Sequence, residues 1–192
     1  MSPRTSTQLQ ALREERSMQI LRAALKVFAN QGYNGSTIEM IAREAGVAKG
    51  LLYSYFESKE KLLESLITYG LEKASAFLTE PPDGPQHTKE AFAANLRKMV
   101  QLFREEQDFW RLYSMLILQP KMAEKFKADA MSFLETYMSV YGSYFQQKQS
   151  KNPMAEAMLF GAVLDGLMFD LILSPDEYPL EEVLDMIIEK FA

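Results

Sequence analysis

Apolar residues recur along this chain at the spacing of a helix. Ile20, Ala24, Val27 and Phe28 follow an i, i+4, i+7, i+8 pattern, which lays one apolar stripe along a 3.6-residue helix. Ile38, Ile41, Ala42 and Ala45 repeat it, as do Leu62, Leu63, Leu66 and Ile67, and then Phe92, Leu96, Met99 and Phe103. Phe126, Ala130, Phe133, Tyr137 and Tyr141 continue the series, and Val183, Leu184, Ile187, Ile188 and Phe191 close it. No stretch sustains the strict alternation of a half-buried strand, so the predicted class is all-α, with about nine helices. None of the prolines falls between residues 4 and 80, which permits long helices there. Glu80-Pro-Pro-Asp-Gly-Pro85 is the strongest break and reads as a linker.

Residues 36–57 carry the most specific local signal. Ser36 and Glu39 stand as an S-x-x-E capping box, which opens a short helix over Thr37–Ala45. Gly46 then suits the left-handed conformation of a tight turn. A second short helix runs from Ala48 to about Ser54. Two short helices around a glycine turn form a helix-turn-helix layout. Leu52 and Phe56, four apart, anchor its buried face, so Lys49, Gly50 and Tyr53 point outwards. Those outward residues suit a phosphate surface. Thr37 offers a hydroxyl beside first-turn N–H groups. Tyr53 and Tyr55 offer hydroxyl donors. Ser58 reads as the N-cap of the next helix, with Lys59 placed as a phosphate clamp at its start.

The stretch from Ile20 to Leu63 resembles the N-terminal domain of the TetR/AcrR family of transcriptional regulators. Three elements carry the resemblance: AA-x-x-x-F-A-x-x-G-Y, S-T-x-x-x-I-A-x-x-A-G-V, and K-G-x-L-Y-x-Y-F-x-x-K-E-x-L. It implies DNA-facing positions at Thr37, Ala48, Lys49, Gly50, Leu51, Tyr53, Tyr55 and Lys59. It also implies a three-helix DNA-binding domain over 1–62 and a helical ligand-binding and dimerisation domain over 63–192. The function so implied is a ligand-responsive regulator, a repressor, that binds a near-palindromic double-stranded operator as a homodimer. A small apolar or amphipathic effector would release it, and no cofactor is implied. Many relatives have serine at the position of Ala48 and a small polar residue at that of Leu51. Both are apolar here, which shifts base reading towards van der Waals contact with thymine methyls. Two alternatives are a regulator whose ligand promotes DNA binding, and a protein-interaction module that uses the same scaffold without specific DNA binding.

Charge at first sight opposes a DNA partner, because the formal net charge is −5. The distribution reverses that reading. Residues 1–62 hold nine Lys/Arg against six acids, a balance of +3, and the remainder balances at −8. A basic reading end on an acidic body is what one contact with a polyanion requires. Cysteine is absent and His87 is the single histidine, which leaves no thiolate or multi-histidine metal site and little material for an enzyme. The longest apolar run, near 157–173, is interrupted by Asp165 and Asp170 and is too short and charged for a membrane span. A soluble, cytoplasmic protein is expected.

Beyond residue 88 the sequence predicts a buried core and a dimer interface. Met154–Leu173 is apolar nearly all round, and such a helix must be covered on every side. With the last helix it would form a four-helix bundle across a two-fold axis. The residues assigned to that interface are Phe160, Gly161, Leu164, Leu167, Met168, Leu184, Ile187, Ile188 and Phe191. The candidates for an effector pocket are Met99, Phe103, Trp110, Tyr113, Phe133, Tyr137, Asp165 and Phe169. Methionine and aromatic side chains suit an adaptable apolar pocket. Asp165, an acid within an apolar helix, needs a partner: a tyrosine across the dimer, or a cationic ligand.

Overall fold

A computed structural model of the chain describes residues 6–79, 88–174 and 176–192. The linker at 80–85, His87 and Pro175 lie outside the described residues. Within them every regular element is helical. In chain order these are α1 (Ser6–Gly35), α2 (Ile38–Glu44), α3 (Lys49–Tyr55), α4 (Lys59–Thr79), α5 (Lys89–Glu105), α6 (Gln107–Ile117), the single turn α7 (Met122–Lys125), α8 (Lys127–Gln147), α9 (Pro153–Leu173) and α10 (Leu180–Phe191).

The chain divides into two compact units. One comprises residues up to Gly70 together with Arg111–Phe126; the other comprises Leu71–Trp110 and Lys127–Ala192. In the first unit the stripes read from the sequence meet: Ile20, Ala24, Phe28, Ile41, Leu52, Leu62, Leu63 and Leu66 are buried. The return of residues 111–126 to this unit rests on long-range contacts. Tyr113 lies where a side chain at residue 70 would be, since a Cβ on Gly70 would come within 2.1 Å of the ring. Its hydroxyl donates to the Ile67 carbonyl at 3.1 Å. The Gln119 amide donates to the Phe28 carbonyl at 2.9 Å, and its oxygen accepts from the Tyr33 N–H at 3.3 Å. These bonds serve the end of α1, where Gly32 leaves the helix at φ 71° and backbone groups would otherwise lack partners.

The second unit packs α8 against α9, and α5 against α9 and α10. Its centre is aromatic. Phe160 meets Phe92 at 5.3 Å, Tyr141 at 4.9 Å and Phe191 at 5.1 Å between ring centres. Most residues assigned to the interface from the sequence lie within this core. Phe160, Leu164, Leu167, Leu184, Ile187, Ile188 and Phe191 are all buried within the chain. Gly161 makes room for Tyr137 of α8, whose hydroxyl a Cβ there would meet at 3.0 Å, and Met168 is half-buried. The outward side of α9 instead carries Met158, Leu159, Ala162, Gly166, Phe169 and Leu173, with the acids Asp165 and Asp170 among them, all exposed. Periodicity could not choose between the faces, because α9 is apolar on both.

The assigned effector residues divide between the two units. Met99, Phe103, Trp110 and Tyr137 are buried core of the second unit, Trp110 against Phe77, Phe103 and Phe109. Phe133 is half-buried. Tyr113 belongs to the first unit, where it packs over Gly70. Phe169 is on the exposed face of α9.

Candidate nucleic-acid interface

α3 is held by one side and open on the other. Leu52 is fully buried and Phe56 nearly so, as their spacing predicted. Lys49, Gly50, Leu51 and Tyr53 are exposed. The Lys49 ammonium has no ion-pair partner among the described residues. Gly46 adopts φ 64°, the left-handed geometry that lets the chain reverse between α2 and α3. Ala48 is the N-cap of α3 and supplies no side-chain hydrogen bond. Tyr55 is half-buried, with the Arg13 guanidinium 5.7 Å from its ring centre.

The start of α2 differs from the capping box read at Ser36. The cap is Thr37, extended at φ −121°, whose Oγ1 accepts from the Met40 N–H at 3.1 Å. Ser36 is buried, and its hydroxyl donates to the Gly32 carbonyl at 2.6 Å, closing the end of α1 instead. The register therefore moves by one residue, and Glu39 falls short of the position from which a box closes. The consequence favours a phosphate contact: Thr37 is exposed, and its hydroxyl accepts inwards while its hydrogen stays free to donate outwards.

Lys59 also departs from its expected role. Its Nζ donates to the carbonyls of Tyr33 and Ser36, each at 2.8 Å, and stands 4.4 Å from the Tyr33 ring centre. Two of its three N–H donors are thus spent fastening α4 to the end of α1. Ser58 does cap α4, accepting from the Lys61 N–H at 3.1 Å. Thr37, Lys49, Gly50, Leu51 and Tyr53 make an exposed surface around the turn; Lys59 is the brace behind it.

Sequence periodicity missed one group altogether. Arg16 donates to the Gln19 amide oxygen at 2.7 Å, and the Gln19 amide donates to the Ala45 carbonyl at 2.6 Å. This chain ties the first turns of α1 to the loop before α3. No apolar stripe singles out residues 9–19 in the sequence, and only the packing of α1 beside α3 places them next to the helix-turn-helix.

In the second unit Asp165 is exposed and has no hydrogen-bond partner among the described residues. Its apolar surroundings raise the carboxyl pKa above the ordinary value. The Tyr137 hydroxyl nearby donates to the Ala157 carbonyl at 2.9 Å. Among the described residues there is no group of three or more metal-ligating side chains and no helix long and apolar enough to cross a membrane.

Comparison with known proteins bears on the same elements. Residues 20–66 match the family model described as bacterial regulatory proteins, tetR family. The chain is 25% identical over 178 residues to the fatty acid metabolism regulator protein of Bacillus subtilis, covering 90% of this chain and 91% of that one. It is 27% identical over 139 residues to the HTH-type transcriptional regulator YuxN of the same organism, a match spanning 67% of this chain and about half, 47%, of YuxN. A Clostridium perfringens structure described as a candidate fatty acid metabolism regulator superposes with a TM-score of 0.72 at 26% identity, covering 90% of this chain and 96% of that one. The matched residues run from the second half of α1 through α2 and α3 into the start of α4, so residues 20–66 carry the helix-turn-helix domain described for the tetR family of bacterial regulatory proteins.

Proposed function

We propose that the chain is a ligand-responsive repressor which binds a near-palindromic operator as a homodimer in the cytoplasm. The observation that carries this reading is the exposed face of α3, with a free Lys49 ammonium beside Gly50, Tyr53 and the Thr37 hydroxyl. A helix of seven residues reads few base pairs, so specificity requires two copies about 34 Å, one turn of DNA, apart. The exposed face of α9, apolar but for Asp165 near its middle, supports that pairing, because exposed apolar surface of this kind marks an association site. Small Ala162 and Gly166 at its middle allow two such helices to approach closely.

The effector belongs in the second unit, and the relatives named for fatty acid metabolism favour an acyl-chain compound. Such a ligand releases DNA only through a difference in affinity between the two conformers. The test starts with selection of bound duplexes from a randomised library by the intact protein. Anisotropy titrations on the selected duplex then follow binding with and without a long-chain fatty acid or its coenzyme A thioester. The expected result is salt-sensitive, sequence-selective binding that weakens as the acyl compound is added. Failure of any sequence to enrich would end the operator reading; tighter binding with ligand would reverse the sign of the response.

A further inference from the structure

We propose that the first turns of α1 form a second DNA-contacting surface, in which Arg13 and Arg16 grip the sugar–phosphate backbone flanking the groove that α3 enters. The inference rests on the operator reading above and extends it to residues outside the helix-turn-helix. A cleft of about 580 Å³ opens between α1 and α3, walled by Leu9, Leu12, Arg13 and Arg16 on one side and by Leu51, Ser54 and Tyr55 on the other. The cleft is continuous with the reading face, since Leu51 belongs to both. A duplex docked on α3 would therefore pass beside this cleft, and the duplex is the occupant its chemistry fits.

Chemistry agrees with that occupant. Both arginines are exposed and lack an ion-pair partner among the described residues. Each is nevertheless oriented. Arg13 lies over the Tyr55 ring, and Arg16 is held through Gln19 to the Ala45 carbonyl, beside the turn that leads into α3. Pre-oriented guanidinium groups lose little side-chain freedom on binding, and their forked donors match phosphate oxygens. Glu15 also lines the cleft, and Glu14 accepts from the Gln10 amide at 3.0 Å; the two arginines outweigh the single acid within the cleft. Leu9 and Leu12 are 54% and 40% exposed, apolar surface suited to the carbon face of deoxyribose.

The experiment uses the full chain and a duplex selected by it, made with long or trimmed flanks. Anisotropy titrations over a range of salt compare the parent with an Arg13→Ala/Arg16→Ala double variant. An Arg13→Lys/Arg16→Lys variant retains the charges, and Arg104→Ala serves as a remote exposed control. Loss of two phosphate contacts should make the salt slope shallower by about 1.8 and weaken binding at least about tenfold on the long duplex. The lysine pair should keep the slope, and trimming the flanks should erase the difference between parent and double variant. A double variant with the parent's slope and affinity overturns the proposal while leaving the operator reading intact. A double variant that binds DNA normally but changes its sedimentation coefficient also overturns it, since the cleft then serves a protein contact. If the parent itself selects no duplex and shows no salt-dependent binding to random-sequence DNA, both readings fall together.

Discussion

Replacing Lys59 by methionine separates a brace from a phosphate clamp. The substitution removes the ammonium and keeps an unbranched stem against Tyr33. It deletes two hydrogen bonds of 2.8 Å to the carbonyls of Tyr33 and Ser36 and a cation–π contact at 4.4 Å. A hydrogen bond from a charged donor contributes about 1.5–3 kcal/mol, and the cation–π contact adds about 0.5–1 kcal/mol at a partly exposed site. Lys59 is only half-buried, so water takes up part of the freed bonding capacity of both carbonyls. A net loss of about 2–3 kcal/mol is expected on those grounds. With a urea slope of about 2 kcal/mol per molar, the unfolding midpoint, followed by helical circular dichroism, should fall by about 1 M. A lysine acting only as a phosphate clamp gives the opposite pattern: an unchanged midpoint and a DNA salt slope shallower by about 0.9. That outcome would refute the brace.

Three further outcomes are expected. Gly70→Ala places a Cβ within 2.1 Å of the Tyr113 ring, and such overpacking should cost about 1–3 kcal/mol, read as a lowered melting temperature. Leu159→Glu with Phe169→Glu sets charges on the exposed face of α9 and should yield monomers in sedimentation together with loss of operator binding; persistence of the dimer would assign the interface elsewhere. Burial pushes the Tyr141 and Tyr144 hydroxyls up to about 12. The folded state then holds protons that an unfolded chain gives up near pH 10, so this contribution is full below pH 10 and is lost between about 10 and 12. A stepwise alkaline titration should show these phenolates forming only as the helical signal disappears.

The segment from Ile20 to Leu63 was readable in the sequence because its signals are local. Apolar spacing fixed which side of α1 and α2 is buried, Gly46 marked the turn, and Leu52 with Phe56 oriented α3 so that Lys49 and Tyr53 face out. Each of these is decided by residues within a few positions of one another, through helix geometry and backbone conformation. The choices that escaped the sequence involve competing partners of equal local merit. Ser36 and Thr37 can each cap a helix, and the end of α1 claims one of them. Lys59 can meet a phosphate or a carbonyl, and the open end of α1, 23 to 26 residues away, takes it. Met154–Leu173 is apolar nearly all round, so the aromatic cluster around Phe160 determines which face turns inward and leaves Leu159 and Phe169 outside. The arginines at the start of α1 carry no periodic signal at all; their standing beside α3 depends on how two helices cross, which is decided by packing between residues far apart in the chain.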